Sequence, residues 1–248
     1  MRVAAIYDVH GNLPALEAVL DDIRQAGADL IVVGGDVIPG PMPVQAIDAL
    51  LALDLPVRFI RGNGDREVLA QRAGQVTGTA PEKFRAVMGW VAEQLTDAQA
   101  ERLATWPLTE TVEIPGLGRV LFCHATPRSD TEIFTRQTPE ERLLPLFEQL
   151  EVEMVVCGHT HMQFDRRVGG VRVVNAGSVG MPFGEPGACW LLLGPEVSLR
   201  RTSYDLQAAA ERIRASGYPQ AEQFAQENVL RPPSEAEMLA LFERSALR

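Results

Sequence analysis

Strand-like and helix-like patterns alternate over the first 65 residues, and this alternation restricts the chain to a small number of folds. Apolar runs at 2–7, 30–33 and 57–60 predict strands, and amphipathic patterns predict helices at 13–26 and up to about residue 53. Such alternation is typical of an α/β protein with a mostly parallel sheet covered by helices. Ligand sites in these sheets lie outside the carboxyl ends of the strands, so we expect a site in the loops that follow them.

The chain contains only four histidines, and all of them follow apolar runs that predict strands. They are His10, His124, His159 and His161. Neutral imidazole is the commonest metal ligand in proteins, so this placement indicates a metal site. The segment Cys157–His161 taken alone would also fit two loop histidines without a shared role, because short histidine motifs carry a risk of chance matches.

Two aspartates and one asparagine occupy similar positions directly after predicted strands: Asp8, Asp36 and Asn63. Together with the imidazoles they exceed the four ligands of a tetrahedral zinc ion. The set suits two divalent ions about 3.5–4 Å apart that share one carboxylate. We expect Asp36 to be the shared ligand, because it stands in the middle of the set and the glycines before it allow close backbone approach.

The alternation breaks at residues 74–108, which are predicted to form a helical insertion. Residues 81–95 predict one helix, and a capping box at Thr96 predicts the start of another. We expect this insertion to form a wall or a lid of the site. Its tryptophans, Trp90 and Trp106, either face the site or pack in the core.

The rest of the chain contains further strands and helices. Strands are predicted at 109–114, 119–123, 154–156, 163–168, 171–175, 187–193 and 197–202. A capping box at Thr138 predicts a helix that extends to about Leu150. Residues 205–248 are predicted to form a helical C-terminal segment, and the chain from 1 to 248 is interpreted as a single domain.

Charge and hydropathy limit the partners of the chain. The formal net charge is -10, which argues against non-specific binding to nucleic acid. No apolar run approaches the roughly 20 residues that cross a bilayer, so we expect no membrane partner. The chain does not begin with a secretory signal pattern, and its three cysteines lie in or beside apolar runs. We therefore expect reduced thiols and a cytoplasmic location.

In order and spacing, the motifs at the strand ends resemble the five motif blocks of the calcineurin-like metallophosphoesterases: Asp8-x-His10, Gly35-Asp36, Gly62-Asn63, His124 and Gly158-His159-x-His161. The resemblance implies a fold of two facing β-sheets flanked by helices, with the site at one edge. The segment Asn175–Ser178 resembles the family's Asn-Pro-Gly-Ser turn, with alanine in place of proline.

The resemblance also implies the metal ligands. It implies that one ion is held by Asp8, His10, Asp36 and His161. It implies that a second ion is held by Asp36, Asn63, His124 and His159. Manganese is the expected metal, and iron, zinc, nickel and cobalt are alternatives compatible with these donors.

The activity implied is that of a dinuclear metal-dependent phosphoesterase, in which a hydroxide bridging the metals attacks phosphorus. The residues after Asp36 and Asn63 do not match the protein phosphatases, so we expect a phosphodiesterase of the small bacterial and archaeal branch. Its substrates would be small phosphodiesters or nucleotides. The alternatives are a phosphomonoesterase, a nuclease, and a non-catalytic metal-binding scaffold of the same fold. The chain is also a candidate homo-oligomer.

Gly64 departs from the family pattern, in which histidine or cysteine often follows the motif asparagine. Either Asp65 or another loop residue then protonates the leaving group, or the substrate has a leaving group that needs little help. Arginines near the motif loops are candidates to hold the phosphate. They are Arg128 and Arg61 in the first place, and also Arg66 and Arg136. The alternative for each is an ordinary exposed arginine.

Overall fold

The computed structural model describes residues 1–75 and 82–247. Its strands are β1 (Val3–Ile6), β2 (Leu30–Val33), β3 (Val57–Phe59), β4 (Thr109–Ile114), β5 (Gly118–Cys123), β6 (Met154–Cys157), β7 (Phe164–Val168), β8 (Val171–Asn175), β9 (Ala188–Leu193) and β10 (Val197–Thr202). Its α-helices are α1 (Leu13–Ala26), α2 (Pro43–Leu51), α3 (Asn63–Arg72), α4 (Glu82–Gln94), α5 (Asp97–Ala104), α6 (Glu140–Phe147), α7 (Leu206–Arg214), α8 (Ala221–Phe224) and α9 (Glu235–Phe242). A π-helix, Ala225–Leu230, continues directly from α8.

The strands form two five-stranded mixed sheets, which confirms the predicted architecture of two facing sheets flanked by helices. The first sheet has the order β10-β9-β1-β2-β3, and the second has the order β4-β5-β6-β8-β7. Strands β1, β2 and β3 run parallel to one another, as do β5, β6 and β8. The remaining strands pair antiparallel with their neighbours. Each sheet therefore has a parallel part whose strand ends point to one edge.

The central strands are buried on both faces, which explains why they are continuous apolar runs in the sequence. On β1, Val3 and Ala5 pack between the two sheets, whereas Ala4 and Ile6 pack against the helices that cover the first sheet. On β6, Val156 faces the first sheet and Val155 packs toward α6. The molecule is thus layered as helices, sheet, sheet and helix.

Helix α1 begins and ends where the sequence predicts. The Asn12 side chain caps its first turn by accepting a hydrogen bond from the Ala15 N–H at 3.3 Å. Pro14 lies in the first turn, where a missing N–H costs nothing. Gly27 ends the helix in the left-handed conformation, with φ of 65°.

Two helices differ from the sequence predictions. The segment from Arg61 to Asp65 is predicted as a loop, but Asn63 is already the first residue of α3. The capping box at Thr138 is wrong, because its Oγ1 accepts from the Thr135 N–H at 2.9 Å and so closes the preceding turn instead. Helix α6 also stops at Phe147, before the predicted end at Leu150.

The predicted insertion contains α4 and α5, and its capping box at Thr96 is confirmed by a 3.2 Å hydrogen bond from the Gln99 N–H. Residues 76–81 of the predicted insertion lie outside the described residues. Both tryptophans pack in the core: Trp106 stacks on Phe59 at 4.5 Å, and Trp90 meets Tyr218 edge-on at 5.5 Å. The insertion therefore reaches the site through other side chains.

The predicted C-terminal segment is helical through α7, α8, the π-helix and α9. Residues of α7 and the π-helix pack on the same core as α1 and α2. In the described parts of the chain, no helix combines the length and the apolar character that crossing a bilayer requires. The three cysteines are buried and form no disulfide.

Candidate metal centre

The predicted metal ligands lie together where the parallel strands of both sheets end. The loops after β1, β2 and β3 carry Asp8, His10, Asp36 and Asn63, and the loops after β5 and β6 carry His124, His159 and His161. Backbone bonds join neighbouring loops, for example from Asp8 N–H to the Gly35 carbonyl at 3.0 Å and from His10 N–H to the Asp36 carbonyl at 2.9 Å. The sheets therefore position the donor groups before any ligand is present.

One histidine pair consists of His10 and His161. Their Nε2 atoms are 3.2 Å apart, and their ring centroids are 5.0 Å apart. The Oδ1 atom of Asp8 lies 3.4 Å from His161 Nε2 and 3.9 Å from His10 Nε2. These three side chains form a group whose ligand atoms could converge on one ion.

The other pair consists of His124 and His159, with ring centroids 5.1 Å apart. The amide end of Asn63 lies 3.1 Å from His124 Nε2 and 3.0 Å from His159 Nδ1. The Oδ2 atom of Asp36 lies 3.6 Å from His124 Nε2. The pairing matches the two ligand sets that the family resemblance implies.

Both aspartates lie between the histidine pairs. Asp36 Oδ2 is 3.9 Å from His10 Nε2 as well as 3.6 Å from His124 Nε2, which is the position expected of a shared ligand. Asp8 Oδ1 also faces both pairs, since it is 3.9 Å from His124 Nε2. The sequence predicts sharing by Asp36 alone, whereas the geometry also places Asp8 Oδ1 within 3.9 Å of both pairs, closest to His161 at 3.4 Å.

Three of the imidazoles are oriented by backbone carbonyls. The Nδ1 atoms of His10, His124 and His161 lie 3.2, 2.9 and 2.9 Å from the carbonyls of Pro39, Gly34 and Met181. A carbonyl only accepts, so each Nδ1 donates and the neutral ring keeps its lone pair on Nε2, which faces the centre. The sequence offers no signal for these contacts, because any residue type carries the same carbonyl.

The surroundings of the Asp8 carboxylate show whether the centre suits a cation. Its Oδ2 accepts from the His159 N–H at 2.9 Å, but its fully buried Oδ1 has no hydrogen-bond partner. A buried unpaired charge is costly unless a counter-charge meets it. Burial acts to raise the pKa of Asp8, yet the His161 imidazole and its neighbours hold that pKa well below its usual range. An ionised, unsatisfied oxygen among imidazole lone pairs fits a divalent cation.

The pKa values of His159 and His124 are shifted in opposite directions. Burial, followed by the neighbouring His124, lowers the pKa of His159 to about 4, so this ring is neutral at neutral pH. Burial also acts to lower the pKa of His124, but the Asp36 and Asp8 carboxylates outweigh it and raise that pKa. A metal ion requires the neutral ring, so protons compete with the ion more strongly at His124 than at His159.

The backbone at the centre is strained. Among the described residues, the non-glycine residues with positive φ are all predicted ligands: Asp8 (54°), His10 (48°), Asp36 (51°), His159 (65°) and His161 (58°). This left-handed conformation costs of order 1 kcal/mol for a residue with a side chain, and it concentrates at functional sites. The surrounding sheet must therefore hold these loops against their local preference.

Glycines let the Asp36 and Asn63 loops touch. A Cβ atom at Gly62 would lie 2.2 Å from Asp36 Oδ1, and one at Gly35 would lie 2.5 Å from the Gly62 nitrogen. This confirms that the glycine before Asp36 allows close backbone approach. The contact also lets the Gly64 N–H donate to Asp36 Oδ1 at 2.7 Å.

Gly64 has a steric reason for lacking the family's histidine. A Cβ atom there would lie 2.5 Å from Pro39 Cγ and 3.0 Å from Asp36 Oδ1. Proline in the loop after Asp36 thus occupies the space that a larger residue at position 64 would need. The contact between Pro39 and position 64 therefore links the glycine at position 64 to the unusual loop after Asp36.

Asp65, the predicted proton donor, has its carboxylate directed at backbone N–H groups and does not line the cavity beside the centre. Its carboxylate is fully buried and accepts hydrogen bonds from the N–H groups of Asp36, Val37, Ile38 and Gly62 at 2.8, 2.9, 3.2 and 3.0 Å. Burial, followed by the Asp36 charge, raises the pKa of Asp65 to about 7. Both of its oxygens are nevertheless directed at backbone, so it ties the Asp36 loop to the start of α3.

The predicted phosphate-binding arginines do not line the cavity that opens beside the metal centre. Arg128 is exposed and pairs with Glu132, its Nη2 lying 2.5 Å from Oε1. Arg66 and Arg136 pair with Asp130 and Glu235 in the same way. Arg61 is half-buried, and its Nε has no hydrogen-bond partner among the described residues.

The Asn175–Ser178 turn holds two ligand loops from behind. The Asn175 amide donates to the Gly158 carbonyl at 2.7 Å, and the Ser178 hydroxyl donates to the Asp8 carbonyl at 2.8 Å. Gly177, with φ of 74°, makes the turn possible. The turn has a structural role, and alanine at position 176 does not alter these contacts.

A cavity of about 500 Å³ opens beside the centre, with His10, Asp36, Asn63 and Gly64 on its floor. Its walls come from α3, from α4 of the insertion, and from the C-terminal segment. The expectation that the insertion forms a wall therefore agrees with the structure. The sequence analysis does not predict the contribution of the C-terminal segment, because nothing in that segment marks it as part of the site.

Comparisons with known proteins show the family of the chain. A profile of the calcineurin-like phosphoesterase superfamily domain matches residues 1–195. The uncharacterized protein MJ0912 of Methanocaldococcus jannaschii is 27% identical over 239 residues, covering 88% of this chain and 94% of that protein. Phosphodiesterase YfcE of Escherichia coli strain K12 is 28% identical over 206 residues, covering 79% of this chain and 89% of the relative.

A solved structure has the same fold. The metallophosphoesterase from Sphaerobacter thermophilus superposes with a TM-score of 0.72 at 25% identity, over 92% of this chain and 99% of that one. Because it covers 92% of this chain, the superposition includes residues beyond 1–195, the range that the family profile matches.

Proposed function

We propose that the chain, which belongs to the calcineurin-like phosphoesterase superfamily and is a metal-dependent phosphoester hydrolase, acts as a phosphodiesterase on small phosphodiesters or nucleotides. We further propose a dinuclear centre, with Asp8, His10, Asp36 and His161 holding one ion and Asp36, Asn63, His124 and His159 holding the other. We propose manganese as the metal, and iron, zinc, nickel and cobalt are compatible with the same donor set of imidazoles, carboxylates and a carboxamide.

The observation that carries this proposal is the unsatisfied Oδ1 atom of Asp8. It is fully buried and lies within 3.9 Å of three imidazole Nε2 atoms that belong to both histidine pairs. Two divalent ions bound at such a centre neutralise charge on the phosphoryl oxygens and lower the pKa of water to supply a nucleophile.

The chain's own residues prepare this chemistry. The carbonyls of Gly34, Pro39 and Met181 hold three imidazoles in the ligand tautomer. Asp65 and the Gly64 N–H hold the Asp36 loop, so the shared carboxylate keeps its position. Fixed donors need no reorganisation when charge develops, which is the main source of catalysis in such sites.

The missing side chain at position 64 favours diesters, or monoesters with good leaving groups, as substrates. Position 64 carries no side chain, and Asp65 is directed at backbone. General acid help contributes about 10²–10⁴-fold, and it matters most for poor leaving groups. The complete donor set supports an enzyme rather than a non-catalytic scaffold.

The test is metal analysis combined with a substrate comparison. Protein purified without chelator is expected to carry about two transition-metal equivalents per chain. With manganese it should hydrolyse bis(4-nitrophenyl) phosphate faster than 4-nitrophenyl phosphate, and Asp8→Asn should lose both metal and rate. Faster hydrolysis of the monoester would indicate a phosphomonoesterase instead. If none of the candidate metals supports turnover, the non-catalytic scaffold is the remaining alternative.

A further inference from the structure

We infer that the cavity beside the metal centre is a subsite for the nucleoside part of a phosphodiester substrate, and that Asn228 recognises its base. This inference rests on the proposed phosphodiesterase activity. It concerns the wall that the C-terminal segment adds, which lies outside residues 1–195 matched to the family.

The size of the cavity indicates more than a phosphate. Its volume of about 500 Å³ lies within the range of about 300–1,000 Å³ typical of sites for organic ligands. Gly64 lies on its floor, so the missing side chain leaves the cavity open to Asp36 and His10. A substrate with its phosphorus at the centre can therefore extend an attached organic group into this space.

The charge of the lining indicates that this organic group is uncharged. The described lining residues include no lysine or arginine, whereas the carboxylates of Glu67 and Glu227 are part of the wall. Further phosphate groups on the substrate would meet these carboxylates without a counter-charge, which is unfavourable. The cavity thus disfavours nucleoside polyphosphates and nucleic acid strands.

Aromatic and apolar side chains provide surfaces for a planar ring. Tyr218 and Phe224 line the cavity from the C-terminal segment and meet edge-on at 6.1 Å, and both are largely buried. Val87 and Met88 of α4 face them from the insertion. Bases stack on such surfaces without regard to sequence, so this lining suits a base and its sugar.

Asn228 is the group that can read a base edge. Its side chain lines the cavity, the residue is 9% exposed, and its amide has no hydrogen-bond partner among the described residues. The amide is open to the cavity, so a ligand bound there can supply its hydrogen-bond partners. A carboxamide offers one donor side and one acceptor side, the pattern that pairs with an adenine edge.

The backbone around Asn228 points the same way. Asn228 lies on the π-helix Ala225–Leu230, where the extra residue per turn is rare and frequently marks a functional site. The neighbouring Gln223 already donates to Glu227 at 2.8 Å, so the two carboxamides differ. Asn228 alone of this pair has both hydrogen-bonding sides available.

The test compares two esters that release the same leaving group. Adenosine 5′-(4-nitrophenyl) phosphate carries a nucleoside, and methyl 4-nitrophenyl phosphate does not. The manganese-loaded wild type is expected to favour the nucleoside ester in kcat/KM by about tenfold or more. Asn228→Leu, which keeps the shape and removes the amide, is expected to reduce this ratio about tenfold.

The matched control is Gln226→Leu on the same π-helix, where the Gln226 amide donates to Glu222 and does not line the cavity. It should leave the ratio unchanged. If Asn228→Leu fails to fold, Met88→Trp fills the cavity from the opposite wall and should lower the ratio as well. A wild-type ratio near one, or an unchanged ratio in both cavity variants, would overturn the inference.

Binding separates this inference from the proposed function. Calorimetric titration of the protein with adenosine should give a saturable isotherm for wild type and Gln226→Leu, and a weaker one for Asn228→Leu. If neither ester is hydrolysed but adenosine binds in this pattern, the phosphodiesterase proposal fails and the subsite stands. If the esters are hydrolysed without adenosine binding, the subsite fails and the phosphodiesterase proposal stands.

Discussion

The two sides of the site are built in opposite ways. At the metal centre, short loops after strands hold the donor groups in left-handed backbone conformations, and hydrogen bonds from the backbone fix nearly every side chain. At the opposite wall, side chains from α4, α8 and the π-helix line a cavity, and the Asn228 side chain has no hydrogen-bond partner in the described part of the chain. Contacts within the protein fix the donor groups of the metal centre, whereas the cavity wall keeps hydrogen-bonding groups available for a ligand. The chemistry is therefore held rigid, while recognition of the substrate is left to helices added around it.

The largest effect is expected from Asp36→Ala, which breaks the rigid side. A side chain that only supports a ligand typically contributes 10–100-fold, so loss of a shared ligand should lower kcat/KM for bis(4-nitrophenyl) phosphate by more than about 100-fold. Metal content should fall at the same time. The matched variant Met88→Ala on the cavity wall should keep its metal. Equal metal content in the two variants would show that the two sides are not separate.

Metal removal is expected to have the next largest effect. An ion at about 1,000 times its dissociation constant stabilises the folded state by about 4 kcal/mol, so chelation should lower Tm clearly. The metal-dependent gain in Tm should shrink as the pH falls. The pKa of His124 is raised, so protons compete with the ion for this ligand. Thermal unfolding with and without chelator at several pH values checks this. A gain that grows on acidification would contradict the ligand role of His124.

Asp65→Asn tests whether the Asp36 loop needs its buried carboxylate. At pH 8, above the pKa of about 7, the wild-type carboxylate is ionised and accepts from four N–H groups. The amide NH₂ of asparagine would meet some of these donors and leave them unsatisfied, which costs about 1–3 kcal/mol for each. Urea unfolding of the metal-free protein should show this loss, and exposed Asp21→Asn is the control. A stable variant that slows only with poor leaving groups would restore Asp65 as the acid.

The smallest effect is expected at the contact between Gly64 and Pro39, which line the cavity next to the metal centre. Gly64→Ala places a Cβ atom 2.5 Å from Pro39 Cγ, and overpacking of this kind costs about 1–3 kcal/mol. The double variant Gly64→Ala with Pro39→Ala should recover part of this loss, because contacting residues are coupled. A double-mutant cycle by urea unfolding measures the coupling. Strictly additive losses would mean that the contact does not explain the glycine.

Much of the fold followed from local patterns in the sequence. Continuous apolar runs marked the doubly buried strands, and Asn12, Pro14 and Gly27 marked the ends of α1. The motif blocks placed the donor groups at strand ends, where the sheet geometry brings them together. These features were predictable because hydrophobic period and helix caps depend on residues a few positions apart.

Other features were decided only by contacts between distant parts of the chain. Asp65 was predicted as an acid because it lies beside Asn63, but the backbone of Asp36 to Ile38, nearly thirty residues away, occupies its oxygens. The left-handed φ of five ligands and the pairing of Asp8 with both histidine pairs arise in the same way. The C-terminal wall, with Asn228, lies beside Asn63 and Gly64 only through tertiary packing. A sequence shows which groups are present, but the partner that satisfies or frees each buried group is set by tertiary packing.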